Sequence, residues 1–498
     1  MTSVNHSLGR RLHPFVLSAL VVVGLGGCGE TVRGELSRPE ATGAETPSVL
    51  LITVDALRAD HLGCYGFRLD SSPSIDRLAA RGVRFESCMV QWPKTWPSLC
   101  SLLTGIYPRT SGIKYRRRRL PESLLFLSEI FQARGYATAA IIANCNIGRT
   151  YGFDQGFDTF IESWRERWRE LHGETPFRQP SFTVKEYTNA TLITDQAVAW
   201  LRQQPAGSPF FLWLHYIDPH GPYEPPAQYA EYFQESFPAE QVAIRQIPGY
   251  QLQFQPGGGE AITDLAHYRA QYTREIRYTD TEIGRLLHQL DSLTLADQTV
   301  IVLTADHGES LGEHDYYLEH GKFSYEVNAH VPLILVWPGR FPAGEDVLAP
   351  VGLIDLAPTL LDLAGIEPPD SFQGHSLVGL LRLRPAAPAP AAVFMESGHH
   401  EEFPQLSIRS AAWKLIQVTG QADRAGMTGS EFELYDLSVD PGETVNVAPE
   451  HIDVVARLSA QLDAWYADTT RVELGEELKL DELDEKSRQM LRALGYVD

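Results

Sequence analysis

Five runs, residues 49–54, 137–143, 209–216, 299–304 and 331–337, have the length of strands and are apolar almost throughout. A strand without alternation is buried on both faces, and helix-length amphipathic segments lie between these runs. The pattern predicts an α/β fold with a mostly parallel central sheet and helices on both faces. The runs end alike. Asp55 follows the first, Asn144 and Asn146 the second, Asp218 and His220 the third, Asp306 and His307 the fourth. One polar residue at a strand end is ordinarily a turn former. Four strands ending this way predict one shared site beyond the carboxyl edge of the sheet, where loops leave room for a ligand.

The N-terminus orders a basic stretch (His6, Arg10, Arg11), an apolar run over 15–23 and the small residues Leu25-Gly26-Gly27-Cys28. That order reads as a signal peptide over 1–27, and its ending resembles a bacterial lipobox in which Cys28 is lipidated. The bland alternative is an uncleaved anchor or an ordinary secretory signal. The expected address is the bacterial cell envelope, with the protein lipid-anchored and periplasmic or surface-exposed. Residues 28–46 are a flexible tether, 47–384 a catalytic domain, and 391–498 a small C-terminal α+β subdomain with a helical tail. Pro385-Ala386-Ala387-Pro388-Ala389-Pro390 joins the last two. A Pro/Gly-rich stretch with Pro256-Gly257-Gly258-Gly259 precedes a helix over 268–290 and reads as an insertion near the site.

The net charge of −22 is spread along the chain, which argues against nucleic acid as a partner. Lys114-Tyr115-Arg116-Arg117-Arg118-Arg119 is the local exception, a solvated loop or a rim that attracts anions. Cys64, Cys88, Cys100 and Cys145 show no metal-site spacing and read as buried free thiols.

Asp55, Asp306 and His307 supply two carboxylates and an imidazole, a set suited to one divalent cation, Zn²⁺ or Mn²⁺ before Ca²⁺. The Thr95 hydroxyl would complete four ligands and be activated by coordination. Pro97 suits the first turn of a helix, whose N–H groups would face an anion; the competing reading makes Thr95 a helix cap. A second ion would need a further Asp and two His. Asp218, His220, His314 and His320 lack the spacing for it.

Lys94-Thr95-Trp96-Pro97-Ser98-Leu99-Cys100-Ser101-Leu102-Leu103-Thr104-Gly105 resembles the signature of the sulfatase family within the alkaline phosphatase superfamily. Val54-Asp55-Ala56-Leu57-Arg58-Ala59-Asp60-His61 and Thr304-Ala305-Asp306-His307-Gly308-Glu309 resemble its two metal motifs. Phe432-Glu433-Leu434-Tyr435-Asp436-Leu437, followed by Asp440-Pro441-Gly442-Glu443, resembles its C-terminal subdomain. The resemblance implies the fold, a bound metal and an anionic ester substrate. Thr95 stands where the family carries the residue converted to formylglycine, Leu99 where it has arginine, and Ala56 where it has a second acid. Asn144 and Asn146 replace a lysine and a histidine that touch the sulfate group. His220 keeps the position of a catalytic acid, and either His320 or Lys322 takes that of a late substrate-binding lysine. The departures point to a hydrolase or transferase of phosphate esters, diesters first, with Thr95 as nucleophile. The alternatives are a sulfuric ester hydrolase working without formylglycine and a non-catalytic envelope binding protein.

Overall fold

The register of three neighbouring strands brings the site residues to one level. The computed structural model describes residues 46–113, 119–173, 184–252, 261–381, 391–399, 402–418 and 432–467, with Asp484, Ser487 and Arg488. The leader, Cys28, the tether up to residue 45, the basic run at 114–118, Pro256 to Gly259 and the Pro/Ala linker lie outside the described residues. The strands are β1 (Ser48–Val54), β2 (Val83–Met89), β3 (Ala137–Ile142), β4 (Thr159–Glu162), β5 (Phe210–Tyr216), β6 (Thr299–Ala305), β7 (Ser310–Leu311), β8 (Tyr317–Glu319), β9 (His330–Val336), β10 (Glu345–Val347), β11 (Val351–Gly352), β12 (Ala392–His399), β13 (Glu402–Ser410), β14 (Trp413–Val418) and β15 (Phe432–Asp436). The main sheet has the order β10-β2-β9-β6-β1-β5-β3-β4, with β11 also on β2.

Strand β1 lies parallel between β5 and β6, with Val54 opposite both Tyr216 and Ala305. Asp55 and Asp306 therefore leave the sheet side by side. Strand β3 is parallel to β5, with Ile142 opposite His215, so Asn144 emerges at the same level. All seven residues of β1, β5 and β6 are buried, as their sequences require.

Strand β9 departs from the parallel expectation and runs antiparallel to both β6 and β2. The reason is its connection. The chain leaves β6 at the site edge, forms the β7–β8 hairpin there and re-enters without a crossover helix, so it must run backwards. Strand β2 alternates along Val83-Arg84-Phe85-Glu86, a half-buried pattern that a search for wholly apolar runs passes over.

The helix Leu265–Ser292 packs on the sheet through Tyr268, Tyr272, Ile276, Ile283 and Leu290. It starts at Leu265, three residues ahead of the expected start, capped by Asp264, whose carboxylate accepts from Ala266 N–H. Strands β12-β13-β14-β15 form a separate antiparallel sheet. The helix Ile452–Ala467 covers it with Leu458 and Leu462 against Leu406, Ile408, Leu415 and Leu434. The four described cysteines are free thiols, Cys64 half-buried and the others buried. Among the described residues no helix is long and apolar enough to cross a membrane.

Candidate functional site

The turn after β1 is the centre of the site. Ala56 adopts φ 59°, and the Tyr272 hydroxyl spans the turn, donating to Ala56 O at 2.7 Å and accepting from Arg58 N at 3.0 Å. A left-handed alanine is uncommon, and this bracing supplies a reason for it to persist. The turn points Asp55 along the extension of β1 and presents Ala56 N–H to Asp306 Oδ1 at 3.1 Å. His307 N–H donates to the same oxygen at 2.9 Å.

Each carboxylate is thus used on one side only. Asp55 Oδ2 accepts from Asn144 Nδ2 at 2.7 Å and faces His215 Nε2 at 3.2 Å. Asp55 Oδ1 and Asp306 Oδ2 are buried without a hydrogen-bond partner. His307 Nε2 stands 3.5 Å from each of them and 3.2 Å from Thr95 Oγ1. Its Nδ1 lies 2.8 Å from Gly308 O, which can only accept, so Nδ1 carries the proton and Nε2 presents a lone pair. Ligands about 2.0 Å from one ion stand about 3.3 Å apart, and the separations of 3.5, 3.5 and 3.2 Å from His307 Nε2 are those of neighbours on one ion. The orphaned oxygens and the lone pair fit a divalent cation held by Asp55, Asp306, His307 and Thr95.

Electrostatics point the same way. Burial would push the Asp55 carboxyl up, but the His220, His215 and His307 rings around it hold it far below the usual carboxylate range. Burial and the adjacent Asp55 charge push Asp306 well above that range. Two buried carboxylates this close cannot both ionise cheaply unless a cation joins them. Burial, with His320 adding to it, keeps the His307 ring neutral.

Thr95 is not the cap of its helix. Lys94 is extended and takes the N-cap position of the helix Thr95–Thr104, while the Thr95 hydroxyl turns to His307. Pro97 fits the first turn as expected, and the Ser98 N–H donates to Lys94 O at 3.1 Å.

Of the other residues expected at the site, His220 and His320 come together beside His307. The ring centroids are 5.1 Å apart for His220 and His320, and 3.9 Å for His307 and His320. His220 Nδ1 lies 2.7 Å from Gly221 O, which leaves Nε2 as the ring atom for proton traffic. Asn144, expected with Asn146 as a substrate contact, has its side chain committed within the protein. Asn144 holds Asp55 through Nδ2 and accepts Asn146 N–H at 2.9 Å on Oδ1. Lys322 lies over the Phe323 ring at 4.8 Å, and the lysine whose charge acts on His320 is Lys94. The turn at Gly321 accounts for this, since Lys94 packs across it and a side chain there would meet Lys94 Cδ at 3.2 Å. Asp218 is drawn away from the cluster into an ion pair with Lys185 at 2.6 Å.

Three residues at the site escaped the sequence reading. His215 offers a ligand atom within 4.8 Å of those of Asp55 and Asp306. It faces the Asp55 oxygen already taken by Asn144, so it backs the carboxylate from the side away from His307. Glu309 is wholly buried, shares a 3.3 Å hydrogen bond with His320 Nδ1 and is pushed up to about 8 by burial. Lys94 is the third. The available signals were an imidazole in an otherwise apolar strand, an acid two residues past His307 and a cation next to Thr95.

Residues 47–366 match the sulfatase family profile, and residues 312–468 match that of the N-sulphoglucosamine sulphohydrolase C-terminal region. The chain is 24% identical to an N-acetylglucosamine-6-O-sulfatase of Bacteroides thetaiotaomicron, over 82% of this chain and 84% of that protein. It is 27% identical to human iduronate 2-sulfatase, over 80% and 90% of the two chains. Among solved structures it is similar to a phosphonate monoester hydrolase of Agrobacterium radiobacter, with a TM-score of 0.67, 25% identity and coverage of 85% and 96%. The profile match spans β1 to β11 and every residue of the strand-end cluster. The chain belongs to the sulfatase family of ester hydrolases.

Proposed function

We propose that the protein is a cation-dependent hydrolase of sulfate esters carried on carbohydrate, acting without formylglycine. The observation that carries this reading is the convergence of two orphaned carboxylate oxygens and the His307 lone pair beside Thr95 Oγ1. The sugar-directed sulfatases among its relatives support the substrate class. They also reverse the order expected from sequence, in which phosphate diesters came first.

A divalent cation bound there would neutralise the paired carboxylates and draw charge from the ester oxygens. Around it the protein's own groups divide the work. Asn144 orients Asp55, while Lys94, whose charge acts on His320, presents a positive group to the anionic ester. As water attacks sulfur and the ester S–O bond breaks, the imidazolium form of His220 passes its Nε2 proton to the leaving oxygen, and the sulfuryl group leaves as sulfate. The positive N-terminal end of the helix Thr95–Thr104 stabilises charge on the transferred group.

One observation favours a second reading. Thr95 Oγ1 lies 3.2 Å from His307 Nε2, within the proposed coordination sphere, where its hydroxyl could attack phosphorus. The likeness to a phosphonate monoester hydrolase supports it. Turnover of aryl sulfates and sulfated monosaccharides against bis-aryl phosphate, with intact-mass analysis, separates the two. Sulfate release without adduct supports the first, a phosphate-sized adduct on Thr95 supports the second, and silence on every ester leaves the binding-protein reading. The envelope address rests on residues 1–27 and Cys28. Membrane fractionation of Cys28→Ser tests it, since a lipid-anchored protein becomes soluble on that change.

A further inference from the structure

The loop carrying His220 is gripped from behind by a buried ammonium. Lys185, on the short helix Val184–Tyr187, places Nζ 2.6 Å from Asp218 Oδ1, 3.2 Å from Glu275 Oε2 and 3.2 Å from the His220 carbonyl. All three ammonium protons have a partner. The two acids hold the rest of the loop. Asp218 Oδ2 accepts from Ala190 N at 2.8 Å, and Glu275 Oε1 accepts from Glu224 N at 2.6 Å. Thr279 Oγ1 donates to Asp218 O at 3.0 Å. Lys185, Asp218 and Glu275 are all buried, Glu275 completely.

We propose that Lys185 is a positioning residue for catalysis, fixing the backbone at 218–224 so that the His220 ring meets the leaving group. This rests on the reading of His220 as the proton donor. A buried ion pair contributes little stability that a packed apolar side chain would not, so the cluster calls for another reason. Geometry supplies it. The His220 ring is tied through Nδ1 to Gly221 O, one peptide beyond the carbonyl that Lys185 holds. Whatever moves that carbonyl turns the ring.

The test uses the full chain with Lys185→Met, His220→Ala and the double variant, assayed on an aryl ester with a good leaving group and an alkyl ester with a poor one. Lys185→Met is expected to lower kcat about 10- to 100-fold with KM within about twofold, and to lose more on the poor leaving group. In the His220→Ala background the same change should cost less than about twofold, because its effect passes through a ring already gone. Losses that multiply in the double variant, or a Lys185→Met enzyme equal to wild type, overturn the proposal. Should Lys185→Met fail to fold, Glu275→Gln keeps its carbonyl oxygen as acceptor for Glu224 N and loses the acceptor for the ammonium; it should show a kcat loss that vanishes with His220→Ala, and a loss that persists overturns the proposal. If wild type hydrolyses no ester, the functional reading fails by itself and the positioning claim is read by side-chain NMR. Displaced His220 ring resonances in Lys185→Met, with the exposed His288 unmoved, uphold it, and unchanged His220 resonances overturn it.

Discussion

Asn144 Nδ2 donates a 2.7 Å hydrogen bond to Asp55 Oδ2, turning the other carboxylate oxygen toward His307 and Asp306. The two residues lie 89 positions apart and meet because β1 and β3 flank β5. Groups that orient a ligand tune affinity for the ion, so Asn144→Leu should weaken divalent-cation binding about 10- to 100-fold. Calorimetric titration of the two proteins measures it. Unchanged cation affinity with raised KM would return Asn144 to the role of a substrate contact.

Removal of divalent cations should destabilise the protein. Without an ion, Asp55 Oδ1 and Asp306 Oδ2 lie buried without a hydrogen-bond partner, each 3.5 Å from His307 Nε2. A ligand at about 100 times its Kd adds about 2.7 kcal/mol to the folded state, and the melting temperature should climb with each tenfold rise in ion. Thermal melts across a cation series after chelation check this, and a melting temperature independent of Zn²⁺, Mn²⁺ and Ca²⁺ would remove the proposed site.

Thr95→Val keeps shape while removing the hydroxyl 3.2 Å from His307 Nε2. Turnover should fall by about 100-fold or more while the melting temperature of the cation-free protein stays within a few degrees. Steady-state assay and calorimetry measure the two separately. Undiminished turnover would leave Thr95 outside both the coordination sphere and the chemistry.

Tyr272→Phe should cost about 1 to 3 kcal/mol, because it strands Ala56 O and Arg58 N in a buried turn. It should also weaken cation binding, since Ala56 N–H steers Asp306. Denaturant unfolding and cation titration of the one variant give both numbers.

The C-terminal sheet should release in acid. Lys414, wholly buried, joins Glu326 at 3.1 Å and Glu443 at 3.0 Å, tying β14 to the chain just ahead of β9. Burial alone would raise Glu326, but Lys414, Arg409 and His330 push it down to about 2. A carboxyl whose folded value lies below its unfolded value of about 4.3 stabilises fully at neutral pH. That contribution is lost as pH falls from about 4 through about 2, after Glu443, which burial pushes up to about 7, has taken up its proton with a gain in stability between about pH 7 and 4. Lys414→Met should cost about 3 to 5 kcal/mol at pH 7, because two buried carboxylates then lack their cation. Tryptophan fluorescence from Trp413 and Trp465 should follow the release in both experiments.

Much of the architecture was written in local pattern. Wholly apolar runs specify strands covered on both faces, and an acid directly after such a run specifies where it leaves the sheet. Asp55 after Val54 and Asp306 after Ala305 were readable for that reason, and the parallel register then set them side by side. The reversal of β9 was not readable, because direction depends on the route taken by the 24 residues between Ala305 and His330. His215 was hidden for a related reason. Its strand is apolar on both faces, and only its pairing opposite Thr53 brings the ring under Asp55.

The sequence by itself determined the kinds of group at the site: two carboxylates, a threonine hydroxyl, and histidines at strand ends. Tertiary structure alone decided what each one faces. It turned Asn144 from substrate to Asp55, put Lys94 rather than Lys322 beside His320, and drew Asp218 to Lys185. Residue type and spacing limit what a side chain can do. Its partner is chosen by strand register and by turns such as those at Ala56 and Gly321, which are set by contacts from distant parts of the chain.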